Sequence, residues 1–276
     1  MSTMLDYEFM RNAFMAGGLV AILAGAAGYF LVLRGQAFAG HALSHVGFAG
    51  ATGAALIGTP PIAGMLAFMV LGAAAMGALG KRLRGSDVAI GAVLALSLGL
   101  GMLFLHFFTA YASQVTALLF GNVLGVDRSM LRILGASTAL CLVVLAFISR
   151  PLLFASLQPE LAEAKGVSLR KVGILYLIIV AVATAASIQI VGVLLVFTLL
   201  VCPAAAAQRV TSQAVDGFML SILLALIEAW LGIALAYATD WPVSFWISAL
   251  SVALYLAACR LRKTPQHALH RRRTGD

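Results

Sequence analysis

Blocks of apolar residues long enough to cross a lipid bilayer follow one another along almost the whole chain. They lie at about 13–33, 38–57, 62–80, 88–108, 130–148, 172–187, 190–207, 217–237 and 243–259. A hydrocarbon core about 30 Å thick takes roughly 20 helical residues to cross. Inside it no water satisfies backbone N–H and C=O groups, so only helices or closed barrels can span it. The blocks are continuously apolar, without the alternation of a barrel strand, which leaves helices. Of the 276 residues 62% are hydrophobic and 10% are charged, against about 25% charged in a soluble domain. The expected fold is therefore all-α, a polytopic transmembrane helical bundle of about nine spans covering residues 1–260. The expected location is a bacterial inner membrane. The opening MSTMLDYEFMRN carries Asp6 and Glu8 in place of a basic leader, so no cleavable signal is expected.

A net charge of +8 invites a nucleic-acid partner, but its placement argues against one. The basic residues stand at the ends of apolar blocks: Lys81, Arg82 and Arg84; Arg170 and Lys171; Arg260, Arg262 and Lys263; Arg271 to Arg273. That is the positive-inside pattern, so the charge reports topology. Nine spans with the N-terminus outside place Arg34, segment 81–85, segment 149–171, Arg209 and the tail together in the cytoplasm. Segment 172–207 must then be two short spans meeting near Ser187, Ile188 and Gln189. One long helix there would turn the arginine-rich tail outward. The tail, 261–276, reads as a basic, disordered, cytoplasmic extension that lies against the membrane surface.

Two connections exceed simple turns. The outer one, 109–129, contains LLFGNVLGV, too short to span and too apolar for a solvated loop, so a short helix is expected at about 116–127. The cytoplasmic one, 149–171, carries Pro159 at a helix start, Glu160 and Glu163 in its first turn and Gly166 at its end. A short helix outside the membrane is expected there.

Only a few residues have the chemistry of a site. His41 and His45 are one helical turn apart in GHALSHVGFAGATGA, so their side chains share a face. Two neutral imidazoles at that spacing can grip one divalent cation, or each can hydrogen-bond to a neighbouring helix. A zinc protease motif would need a glutamate after the first histidine, and Ala42 stands there. Glu228, in the middle of its span, is either a polar group lining a pathway or a carboxylate paired with a neighbouring helix. His106 reads as an interfacial residue, His267 and His270 as part of the tail, and Asp87 as a helix cap. Cys141, Cys202 and Cys259 read as small packing residues without ligand spacing. The segment GALGKRLRG at 77–85 is no phosphate loop, because Ala75 and Arg82 occupy the places of the required glycine and Ser/Thr. The chain carries no ATPase of its own.

Five segments, in order, resemble the membrane permease of bacterial ABC importers for zinc, manganese and iron: GHALSHVGFAGATGA, GSDVAIGAVLALSLGLGMLFL, LLFGNVLGV, QPELAEAKGV and IVGVLLVFTLLVCPAAAAQRVT. The resemblance implies a homodimer of permeases, a pair of cytoplasmic ATPases that hold the ATP, and an extracytoplasmic metal-binding protein that delivers the ion. It implies no permanently bound cofactor; the metal is cargo. The family's Asp and His of the second span, taken as a metal gate, correspond to His41 and His45. The acid is thus replaced by a histidine. Imidazole suits zinc, whereas manganese and iron(II) sites favour oxygen ligands, so a zinc importer, of an Azt-like type, is expected. Pairing with a symmetry mate would bring four imidazoles around one ion. Pro159, Glu160, Leu161, Ala162 and Gly166 match the family's ATPase-coupling segment, with Gln158 in place of its usual Asp. The rivals are a manganese or iron permease and a stand-alone proton-coupled divalent-metal transporter using Glu228.

Overall fold

The computed structural model describes residues 4–79, 86–107, 121–193 and 196–261. The basic segment 81–85, residues 108–120 of the outer connection and the tail from 262 onward lie outside the described residues. Within them the chain forms ten α-helices and no strand. These are α1 (Glu8–Leu33), α2 (Ala37–Leu56), α3 (Pro61–Leu79), α4 (Ser86–His106) and α5 (Arg128–Leu157). They continue as α6 (Pro159–Ala164), α7 (Leu169–Val191), α8 (Val196–Val210), α9 (Ala214–Thr239) and α10 (Val243–Leu261). Each apolar block is occupied by one helix, and α6 lies between the fifth and sixth blocks. Seven helices, α1, α3, α4, α5, α7, α9 and α10, are long and apolar enough to cross a membrane. Glycine and histidine dilute the hydropathy of α2, and α8 has only 15 residues.

Three boundaries differ from the sequence reading. Helix α7 runs past Ser187 to Val191, and the break falls at Gly192, whose φ of +81° lies in the region that glycine enters without strain. Helix α5 does not stop at 148 but continues through Pro151 to Leu157, so the irregular connection shrinks to the residues flanking α6. Proline removes one backbone hydrogen bond there, and burial of Leu152 and Ala155 against neighbouring helices outweighs that loss. Of the outer connection, the described part is one 3-10 turn, Val123–Gly125, capped by the Asn122 side chain, which accepts from Gly125 N at 3.1 Å.

Helix α1 is the axis of the packing and contacts α5, α7, α8 and α9. Its small residues let backbones approach: a side chain at Gly28 would meet the carbonyl of Leu200 on α8, and one at Gly25 the α9 backbone at Ser221 and Ile222. In lipid such contacts, with dispersion and interhelical hydrogen bonds, replace the hydrophobic effect as the force joining helices. Buried bonds accompany them, from Tyr176 Oη to Ala27 O (2.7 Å) and from Ser221 Oγ to Gly25 O (2.8 Å). A second group, α2 with α3 and α4, leans on α7 through α3. Arg34, at the end of α1, donates to Ser156 Oγ of α5 at 3.4 Å and lies beside Gly173 of α7, so these basic helix ends gather on one side of the bundle.

Candidate metal site

Helix α2 is packed on three sides. Gly50 sits so close to the carbonyl of Gly64 on α3 that no larger residue fits, and Ala39, Ala42, Leu43 and Val46 are buried. The remaining side carries Phe38, His41 and His45, all exposed or half-buried. The packing of the small residues on α3, α4 and α7 thus turns both histidines toward the uncovered side.

The imidazoles of His41 and His45 are 4.8 Å apart between ring centres and nearly perpendicular, at 81°. Phe38 stacks beside His41 at 6.2 Å, and Phe197 of α8 meets it edge-on at 5.5 Å. The Ser44 hydroxyl donates to the His41 carbonyl at 2.6 Å, a bond inside α2 that leaves the ring untouched. Among the described residues neither imidazole has a hydrogen-bond partner, and no third His, Cys, Asp or Glu joins them as a potential metal ligand. One copy therefore offers two nitrogen ligands, half of a tetrahedral set. The strip meets α8 at Phe197, where Phe197 and Thr198 are half-buried while Leu199, Leu200 and Ala204 are buried.

Glu228 does not join the histidines. It lies on α9 with no exposed surface and accepts from Ser251 Oγ of α10 at 2.5 Å through Oε2, while Oε1 has no partner among the described residues. His106 lies at the end of α4 against Phe107, ring centres 5.3 Å apart. His267 and His270 are outside the described residues. The cysteines are free thiols, Cys141 buried and the other two half-buried.

Between α5 and α7, Pro159 occupies the first turn of α6, and Gly166, with φ of +84°, ends it. Ala162 is buried and anchors this short helix, and Val167 N donates to its carbonyl at 2.9 Å. Pro159, Glu160 and Leu161 project into solvent, Leu161 being 46% exposed. An exposed leucine on a short, fixed helix is a knob available to a groove in another protein.

Sequence reasoning identified the histidine pair by its spacing but not Phe197 as a neighbour of His41. Phe38, three residues before His41, could have been found by helical periodicity. Phe197 lies on another helix, and no local signal points to it. Ser251 as the partner of Glu228 is equally a product of tertiary packing.

The ABC 3 transport family matches residues 6–262. The chain is 30% identical over 232 residues to the manganese transport system membrane protein MntC of Halalkalibacterium halodurans, covering 83% of this chain and 79% of that one. It is 28% identical to the manganese import system permease protein ScaB of Streptococcus parasanguinis, covering 91% of this chain and 90% of the relative. In fold it is similar to a chain of PsaBC from Streptococcus pneumoniae in complex with Fab, with a TM-score of 0.83, 24% identity and 98% of this chain covered. With helices long enough to cross a bilayer and a match along nearly its whole length, the chain belongs to the ABC 3 transport family and is a multi-pass membrane permease of a metal ABC importer, whose ATP hydrolysis is carried out by a separate subunit.

Proposed function

We infer that the chain imports zinc, that His41 and His45 hold the ion in passage, and that two copies of the chain face each other across the strip formed by α2 and α8. The observation that carries this reading is the pair of imidazoles, 4.8 Å apart, on the uncovered side of α2 with no carboxylate beside them among the described residues. Zinc accepts nitrogen ligands at about 2.0–2.1 Å in tetrahedral sets, and two copies supply four. Binding here must be moderate, because a transport site has to release what it holds. Protonation of either ring would free the ion, since only neutral imidazole is a ligand.

The basic helix ends face the cytoplasm in this reading, by the positive-inside rule. Helix α6 then projects toward the paired ATPases, with Pro159, Glu160, Leu161, Ala162 and Gly166 forming the coupling segment. ATP binding closes the ATPases, moves α6, and through α5 and α7 shifts the bundle between outward and inward access. An extracytoplasmic metal-binding protein delivers the ion on the opposite side.

Manganese is the second reading, favoured by the names of the relatives, several of which are manganese transport proteins. The test is metal uptake by the complex reconstituted in vesicles with its ATPase. Zinc flux that persists in excess manganese and falls in both His41→Ala and His45→Ala, with ATPase assembly intact, is the expected result. Manganese flux unaffected by excess zinc would assign the chain to manganese. Normal flux in both assembled variants would remove the histidines from the route.

A further inference from the structure

The uncovered α2–α8 strip has been assigned above, but a second apolar recess lies elsewhere and takes no part in that reading. Helices α5 and α9 both pack on α1, yet they make no substantial contact with each other. This leaves a slot floored by α1. Its larger recess, about 520 Å³, is walled by Leu142 and Ala146 of α5 and by Phe218, Met219 and Ile222 of α9. Tyr29 and Phe30 of α1 form its floor. It continues past Ile22, common to both, into a second recess of about 370 Å³ that reaches Trp230. The volumes lie in the range of about 300–1,000 Å³ typical of small-ligand sites.

Two features define what fills it. The outer faces of its walls carry some of the most exposed apolar side chains of the chain, Phe147 at 81% and Met219 at 61%, so the slot opens to the hydrocarbon of the bilayer. Its Arg150 end is charged: Arg150 lines the larger recess beside Ser149, is exposed, and among the described residues makes no ion pair. From Arg128 at the start of α5 to Arg150 the helix rises about 33 Å, close to the thickness of the hydrocarbon core. Arg150 therefore stands at the opposite interface from Arg128, at headgroup depth. An acyl chain matches the apolar walls, and a phosphate beside it matches the unpaired guanidinium.

We propose that the slot between α5 and α9 is a binding site for one anionic phospholipid, with an acyl chain along α1 and its phosphate on Arg150. The site is independent of the metal and serves as a wedge that holds α5, and with it α6, at a fixed distance from α9.

The test uses the full-length permease with its ATPase, extracted from vesicles of equal parts phosphatidylglycerol and phosphatidylethanolamine, and native mass spectrometry of the lipids retained. The wild-type complex is expected to keep phosphatidylglycerol, one per permease copy, in preference to phosphatidylethanolamine. Arg150→Gln is expected to lower that preference about fivefold, the effect of one basic residue near an anionic headgroup. Ala146→Trp, which fills the slot from an exposed wall position, is expected to release lipid of either class. An unchanged lipid ratio in Arg150→Gln, or lipid retention in Ala146→Trp equal to wild type, would overturn the proposal. So would efficient cross-linking of Ala146→Cys to a second copy, which would make the slot a protein interface.

Discussion

At the scale of single residues, the chemistry inside the helices rests on His41, His45 and Glu228. A one-turn spacing puts His41 and His45 on a common face in any helix, and the structure has them there, 4.8 Å apart. Glu228 was open to two readings because a sequence does not say what lies across from a buried carboxylate. The structure encloses it between α9 and α10, with Ser251 donating to Oε2. Two substitutions separate packing from passage. Ser251→Ala removes the hydroxyl donor from a buried acid and is expected to lower stability by about 1–3 kcal/mol, read as a fall in Tm of the detergent-solubilised protein. Glu228→Gln keeps the shape and an acceptor for Ser251, and is expected to leave metal uptake near wild type. Loss of uptake in a stable, assembled Glu228→Gln would instead place the carboxylate on the route.

At the scale of elements, helix existence was legible and helix ends were not. Length and hydropathy mark where a segment can cross, but the stops depend on neighbours. The fifth apolar block ends at 148, yet α5 continues through Pro151 because Leu152 and Ala155 are buried by other helices. The break before α8 waits for Gly192, the residue whose positive φ permits the turn, rather than the polar Ser187 and Gln189. Pro159 and Gly166 bracket α6 by their own backbone geometry, which is why that short helix was visible in advance. The coupling role proposed for it rests on its exposed surface. Leu161→Asp is expected to abolish co-purification of the ATPase while leaving zinc binding by the permease unchanged, measured by affinity capture and by equilibrium dialysis. Retained ATPase with Leu161→Asp would move the docking surface elsewhere.

At the scale of the whole molecule, the central question is how many copies would build the proposed metal site. One chain presents two imidazoles on an uncovered face and no third candidate ligand among the described residues. A site completed by a second copy predicts one zinc ion per two chains, with binding lost as a unit in either histidine variant. Isothermal titration of the purified assembly reads this directly. One ion per chain would mean that each copy completes its site alone, with water or backbone oxygen as the remaining ligands.

The amino-acid order alone determined that this chain is a helical membrane protein and where its apolar helices lie, because a bilayer leaves a backbone few ways to satisfy its hydrogen bonds. It also determined that two imidazoles share one helix face, because helical periodicity is a local property. Tertiary structure decided which side of α2 stays open, which helices α1 gathers, and that Glu228 ends against Ser251 rather than beside the histidines. Those outcomes depend on close fits between small residues far apart in the chain, such as Gly28 against Leu200, which no local pattern encodes.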